Sequence, residues 1–228
     1  MSIDNKAVSL AKYIGTLTDF RFVEPEIPYS HMGATITDAM LQPGIIYDTV
    51  VKPRVEKIRA DYPEAKTTTG FLKVLDKNDP KKLLNWRDSE KPSRILEVSK
   101  FFAQEGIETE VQLRTWLEKE ENIAKLDEVR GVGMKTIEYF RFLSGADTSA
   151  IDRHLLNFLK IAGIGVSGYV EAKGVIDRTA DLIGKNRSLL DHSIWKYMSE
   201  KKLRGDSVKE RACCNGLNRK RDWQYKIV

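Results

Sequence analysis

Cysteine is nearly missing from this chain: 228 residues hold two, the adjacent pair Cys213 and Cys214. Neighbouring cysteines rarely bond to each other, so neither a disulfide framework nor a four-thiolate cluster can be built, and a reducing compartment is expected. Long apolar runs are absent too. Nothing approaches the roughly 18 residues that span a bilayer, so no membrane partner is expected. The first residues, Met-Ser-Ile-Asp-Asn-Lys, lack the apolar stretch of a secretory signal, and the chain reads as not secreted. Alternating strand patterns are scarce, and no segment repeats at a fixed period. The body also lacks an excess of positive charge. Residues 201–228 carry nine Lys/Arg and three acids, a surplus of six that outweighs the whole-chain +5 and leaves residues 1–200 near −1. The basic pI is therefore a property of the tail, and a nucleic-acid ligand of the body would have to be held by a local patch and oriented backbone dipoles.

Helical periodicity is what the chain has in quantity. Residues 4–14 read as a first helix, and 15–32, with Pro25 and Pro28, as an irregular connector. Ala34–Gln42 makes a short helix stopped by Pro43-Gly44; Ile45–Ala60 is again helical, with a kink or fresh start expected at Pro53. Thr67–Thr69 can cap Gly70–Leu75, and Asp79-Pro80 opens another short helix. Ser93–Gln104 carries a broad apolar stripe and ends at Gly106; Thr109–Glu118 follows. Helices over about 121–128 and 134–144 flank a glycine turn. Ser149 or Asp152 opens the next helix, to about Ala162, and 168–184 and 188–200 supply the last two. Ten or more short helices with short joints imply an all-α protein.

The segment richest in chemistry is Leu126-Asp127-Glu128-Val129-Arg130-Gly131-Val132-Gly133-Met134-Lys135-Thr136, with Asp152 seventeen residues beyond the lysine. A glycine turn between helices lets a phosphate approach the backbone, and the next helix N-terminus offers outward N–H groups of partial positive charge. Such a site grips a phosphodiester without reading sequence. Taken alone, Gly-x-Gly serves equally well as a tight turn. Lys135 can act as an amine nucleophile or as a phosphate contact. Asp152 can stabilise positive charge on a sugar or simply cap its helix. Trp86, in the Asn85–Glu90 loop, reads as a core aromatic or a wedge, and Tyr139, Phe140 and Phe142 as core.

The motif Leu126-x-x-Val129-x-Gly131-Val132-Gly133-x-Lys135-Thr136, followed by Ala150-Ile151-Asp152-Arg153-His154-Leu155, resembles the helix-hairpin-helix (HhH-GPD) DNA glycosylases, the superfamily that includes endonuclease III and MutY-type enzymes. Ala39-Met40-Leu41-Gln42 resembles the segment whose glutamine enters the duplex, and Ser93–Phe102 looks like the long helix after it, so that the likeness covers about residues 34–165. The resemblance implies an all-α, two-lobed fold with a cleft between lobes. One lobe would comprise 1–33 plus 147–200, the other 34–146 with the hairpin; 201–228 would be a basic, mobile tail. It implies a base-excision repair enzyme removing a damaged base, with Lys135 as Schiff-base nucleophile and Asp152 as catalytic carboxylate, hence a bifunctional glycosylase and AP lyase. The alternatives are a glycosylase without lyase activity and a non-catalytic DNA-binding module. Gly131, Val132, Gly133, Met134 and Thr136 would hold phosphate. Gln42 would fill the gap left by a flipped base or simply end its helix before Pro43, Arg153 would touch phosphate or form a surface salt bridge, and His154 would support Asp152 or the fold. The partner would be double-stranded DNA with a damaged base or abasic site, met by a monomer in the cytoplasm (nucleoid) or nucleus. Endonuclease III-type members carry a four-cysteine iron–sulfur cluster; two cysteines exclude it here, and no cofactor or metal is expected.

Overall fold

In the computed structural model residues 1–209 are described, and among them the regular structure is wholly helical. Helix α1 (Ile3–Thr16) starts at Ser2, whose hydroxyl accepts the Asn5 N–H at 3.3 Å. A connector over 17–31 leads to α2 (Met32–Leu41), a π-helical turn (Tyr47–Val51), α3 (Lys52–Asp61), α4 (Thr68–Lys77), α5 (Pro80–Leu83), α6 (Glu90–Gln104), α7 (Glu110–Trp116), α8 (Glu120–Asp127) and α9 (Met134–Leu143). Then come α10 (Arg153–Ile161), α11 (Tyr169–Leu182) and α12 (Arg187–Lys209).

Two separate cores form because the apolar stripes point into two places. The first gathers side chains from α2 through α9, with Ile36, Phe71, Ile95, Phe102 and Phe140 at its centre. The second gathers α1, α10, α11 and α12 around Leu10, Leu155, Phe158, Val175 and Ile194. In α10 the apolar positions 155, 158 and 159 fall on one face, and in α12 positions 190, 194, 197 and 198 do the same. Helix α2 is different: all ten of its residues are buried. It runs through the middle of the first lobe, so its C-terminal end is placed by packing on every side.

The chain crosses between lobes twice. On the way out the connector is pinned by Val23, whose N–H donates to Ser193 Oγ at 3.0 Å. On the way back residues 144–152 are strapped by a polar network. Glu138 Oε2 accepts from the Thr148 hydroxyl at 2.7 Å, and Lys173 Nζ donates to Thr148 Oγ1 at 2.8 Å and to Asp177 at 2.9 Å. Ser149 Oγ donates to Asp177 Oδ1 at 2.6 Å. This network joins α9, in the first lobe, to α11, in the second.

The fresh start expected at Pro53 is present: a π turn precedes α3, which begins at Lys52 so that Pro53 stands in its first turn, where its missing N–H costs nothing. The end of the last helix shifts. Helix α12 continues to Lys209, past the expected end near residue 200, so the first nine residues assigned to the tail extend a helix. The rest of the segment expected to be mobile, and Cys213 and Cys214 with it, lies outside the described residues.

Candidate active site

The hairpin takes its shape from one glycine and its openness from another. Gly131 has φ +83°, a left-handed conformation that other residues rarely adopt, and a Cβ there would lie 2.5 Å from Arg94 Cδ. Gly133 is extended (φ −145°) and is the N-cap of α9; nothing lies within 4 Å of where its Cβ would be. Without a side chain at the cap, no side-chain oxygen accepts from the first turn of α9. The amides of Met134, Lys135 and Thr136 are thus left to an outside acceptor, which the helix dipole biases toward an anion. Met134 is exposed, whereas the side chains of Val132 and Thr136 are buried. The Val132 N–H donates to Val129 O at 3.0 Å. Val132 therefore anchors the turn in the first core, and its side chain does not face solvent.

Asp152 is the N-cap of α10. Its Oδ1 accepts the N–H groups of His154 at 2.7 Å and Leu155 at 3.0 Å. Both bonds fall on one oxygen, and Oδ2 makes no hydrogen bond among the described residues. Capping therefore occupies one half of the carboxylate. Arg153 is exposed beside it, and the His154 ring packs edge-on against Trp195, centroids 6.3 Å apart.

Asp152 lines a cavity of about 340 Å³ walled by both lobes. That size falls within the range of about 300–1,000 Å³ typical of small-molecule sites. The first lobe contributes Gln42, Tyr47, Tyr139 and Phe142, the second Asp152, Asp191, His192 and Trp195, and the connector Glu24, Pro25 and Glu26. Tyr47 meets Trp195 edge-on across the cleft at 5.5 Å, and His192 stacks on Trp195 at 5.8 Å. The space between the lobes is therefore lined by aromatic and apolar side chains together with acids that outnumber the bases.

Gln42 sits at the C-cap of α2 and reaches this cavity. Lys91 fixes it there: its Nζ donates to the carbonyls of Met40 at 3.2 Å, Leu41 at 2.7 Å and Pro43 at 3.0 Å. Burial lowers the Lys91 pKa to about 8. Trp86, partly buried on the first core, lies under the Arg54 guanidinium at 5.1 Å and near Lys91 at 5.9 Å. Lys135 is half-buried and is not among the residues that wall the cavity. It shares one stripe of α9 with Tyr139 and Phe142, four and seven residues further on, which do wall it. The lysine thus shares a helix face with two residues of the cavity wall without lining the cavity itself.

Two buried carboxyl groups escape a local reading of the sequence. Asp38, inside α2, is fully enclosed behind the wall and accepts hydroxyl donors from Tyr29 at 2.7 Å, Tyr139 at 3.3 Å and Tyr47 at 3.4 Å. Burial pushes its pKa up to about 6 against the pull of those donors. Asp191, on α12, lines the cavity and accepts the Ala150 N–H at 2.7 Å. The signal for both was present: an acid inside an otherwise apolar helical register, as in Met32–Leu41 and around Leu190 and Ile194.

No family model and no curated protein matches the chain. Among solved structures, the H. pylori 3-methyladenine DNA glycosylase MagIII, bound to 1,N6-ethenoadenine, superposes with a TM-score of 0.57 at 15% identity, over 89% of this chain and 99% of that one. The chain has the helix-hairpin-helix DNA glycosylase fold. In this fold the hairpin, the α10 cap and the cavity between lobes occur together in one chain.

Proposed function

We propose that this protein is a DNA glycosylase that removes a damaged base from duplex DNA in the cytoplasm or nucleus. The observation that carries the reading is Asp152: a carboxylate held on one oxygen by two backbone N–H groups, its other oxygen without a hydrogen bond among the described residues, in the wall of an aromatic cavity. A flipped nucleotide would place its base in the cavity against the aromatic wall that Tyr47 and Trp195 form together, with Gln42 filling the vacated stack. Cleavage of the C1′–N bond leaves positive charge on the sugar, which the carboxylate stabilises while orienting water for attack. The hairpin amides behind Gly131 and Gly133 would hold the neighbouring phosphate, and Arg153 has the exposure to add a second contact.

The fuller reading adds AP-lyase activity. Lys135 would attack C1′, form a Schiff base and permit β-elimination of the 3′ phosphate; its place on the Tyr139–Phe142 stripe supports this. A second reading, base removal without strand cleavage, draws on its absence from the cavity wall. Borohydride trapping on duplexes bearing a panel of damaged bases and abasic sites separates them. A covalent adduct lost in Lys135→Gln, together with strand nicking, is expected for the lyase. Alkali-labile sites without an adduct would leave a monofunctional glycosylase. DNA binding with no base release from any lesion would reduce the chain to a binding module and overturn the proposal.

A further inference from the structure

Asp191 is a polar group that neither capping nor core packing explains. It stands in the cavity wall with Asp152, and only 7% of its surface is exposed. One of its oxygens, Oδ2, is occupied by the Ala150 N–H at 2.7 Å. That bond ties the second carboxyl to the backbone two residues before Asp152, so the two acids of the cavity wall are tethered through residues 150–152. The Tyr169 phenol packs near enough to feel the charge of Asp191. Asp191 is thus a carboxyl fixed through one oxygen in the wall of the cavity that would receive a flipped base.

We propose that Asp191 is a general acid that protonates the departing base, which makes neutral bases, rather than cationic ones, the substrate class of this site. The inference rests on the glycosylase reading. As the C1′–N bond breaks, its electron pair leaves with the base, and the Asp191 proton passes to a ring nitrogen or exocyclic oxygen of that base. Water adds to C1′ and gives up a proton to Asp152. Return of that proton to Asp191 through solvent closes the cycle, and the net change is hydrolysis. A base that already carries positive charge departs without this help.

The carboxyl is suited to keep its proton until it is needed. Burial pushes its pKa well above the usual carboxylate range, the negative charges of Asp152 and Asp177 push the same way, and the Ala150 N–H and Lys173 pull against them. The cavity wall that Asp191 shares also holds Glu24, Glu26, Asp48, Glu56 and Glu200 against Lys52, Arg59 and Lys196, with His192 next to it in sequence. The excess of acids favours the neutral acid.

The test uses the full chain in single turnover on matched duplexes holding neutral lesions (uracil, hypoxanthine, 8-oxoguanine) or the cationic 7-methylguanine. Asp191→Asn keeps an acceptor for the Ala150 N–H. It is expected to slow release of the best neutral base by about 100-fold or more, in line with the loss of a general acid, and release of 7-methylguanine by less than about 3-fold. On the unaltered protein, release of the neutral base falls at alkaline pH while that of the cationic base does not. Equal loss on both kinds of base in a variant that melts as the wild type does, or no loss on the neutral base, overturns the inference. So does a flat alkaline profile for neutral bases. A wild-type protein that frees only cationic bases overturns it while leaving the glycosylase reading intact; one that frees none removes both.

Discussion

Asp38 and Asp191 are both enclosed acids flanking one cleft, one in each lobe, and their neighbours treat them in opposite ways. Asp38 receives three phenolic hydroxyls and has no second carboxylate among the causes of its shift. Asp191 receives a single backbone N–H and faces two like charges, with Lys173 as partial compensation. Donors stabilise an anion and like charges penalise it. The first carboxyl is therefore held as a structural hub that ties α2 to the connector, the π turn and α9. On the proposed reading, the second is left with a proton to give. Burial alone does not separate the two roles; the chemistry of the partners does.

The largest break in this comparison should come from Asp152, another acid of the cleft. Asp152→Asn is expected to slow base release by about 100- to 1,000-fold, the scale for removing one preorganised electrostatic group. DNA affinity in a filter or anisotropy assay should change little, because the proposed phosphate grip lies in the hairpin. Retained excision would show that Asp152 is a cap and nothing more.

Next comes Asp38→Asn, which should act on stability. The folded-state pKa of Asp38, about 6, stands above the ordinary 3.8. The folded form therefore holds its proton more tightly than the unfolded one, and the stability this gives is lost as pH rises from about 4 to about 6. The asparagine mimics the protonated acid. Thermal melts should show the variant more stable than wild type at pH 8, by at most about 3 kcal/mol for a shift of some two units, and equal to it near pH 4. A destabilised variant at pH 8 would mean that the three phenols need the charge.

Gly131→Ala is a smaller test, confined to the hairpin. A Cβ in the left-handed conformation costs about 1–2 kcal/mol, and here it also presses on the Arg94 side chain, 2.5 Å away. The expected result is weaker binding to undamaged duplex and a lower melting temperature, whereas Gly133→Ala, with open space at its Cβ, should melt like wild type. Equal melting temperatures for both alanine variants would contradict the division of labour between the two glycines. The finest test lies within the phenol cluster. Tyr29→Phe removes the 2.7 Å bond to Asp38 and should cost about 1 kcal/mol or more; Tyr47→Phe, at 3.4 Å, should cost less. Urea melts of the pair measure the difference, and a reversed order would place the stronger donor elsewhere.

How much of this could be read along the chain depends on how local each signal is. The hairpin and the Asp152 cap announce themselves within a dozen residues, because turn and cap preferences act over one or two helical turns. The short cap-and-proline start at Asp79-Pro80 is legible for the same reason. Asp38 with Tyr29, Tyr47 and Tyr139, and Asp191 with Ala150, are pairings across 9 to 101 positions. Tertiary packing alone brings them together, and no periodicity encodes them. The π turn before α3 was hidden because its residues fit a helical pattern as well as the α-helix after it does. Lys91 was missed for a related reason. A lysine in the first turn of an amphipathic helix reads as a solvated charge, yet this one turns inward to the end of α2.

That inward turn has a mechanical consequence. Three carbonyls at the end of a helix buried on every side are tied to one ammonium. On the proposed reading, Gln42 then meets the double helix as a stiff peg on a braced post, and the compliance must come from the nucleic acid. The work of opening the duplex falls least on steps already softened by a poor base pair, so rigidity in the protein becomes a first filter for damage before any atom of the base is touched.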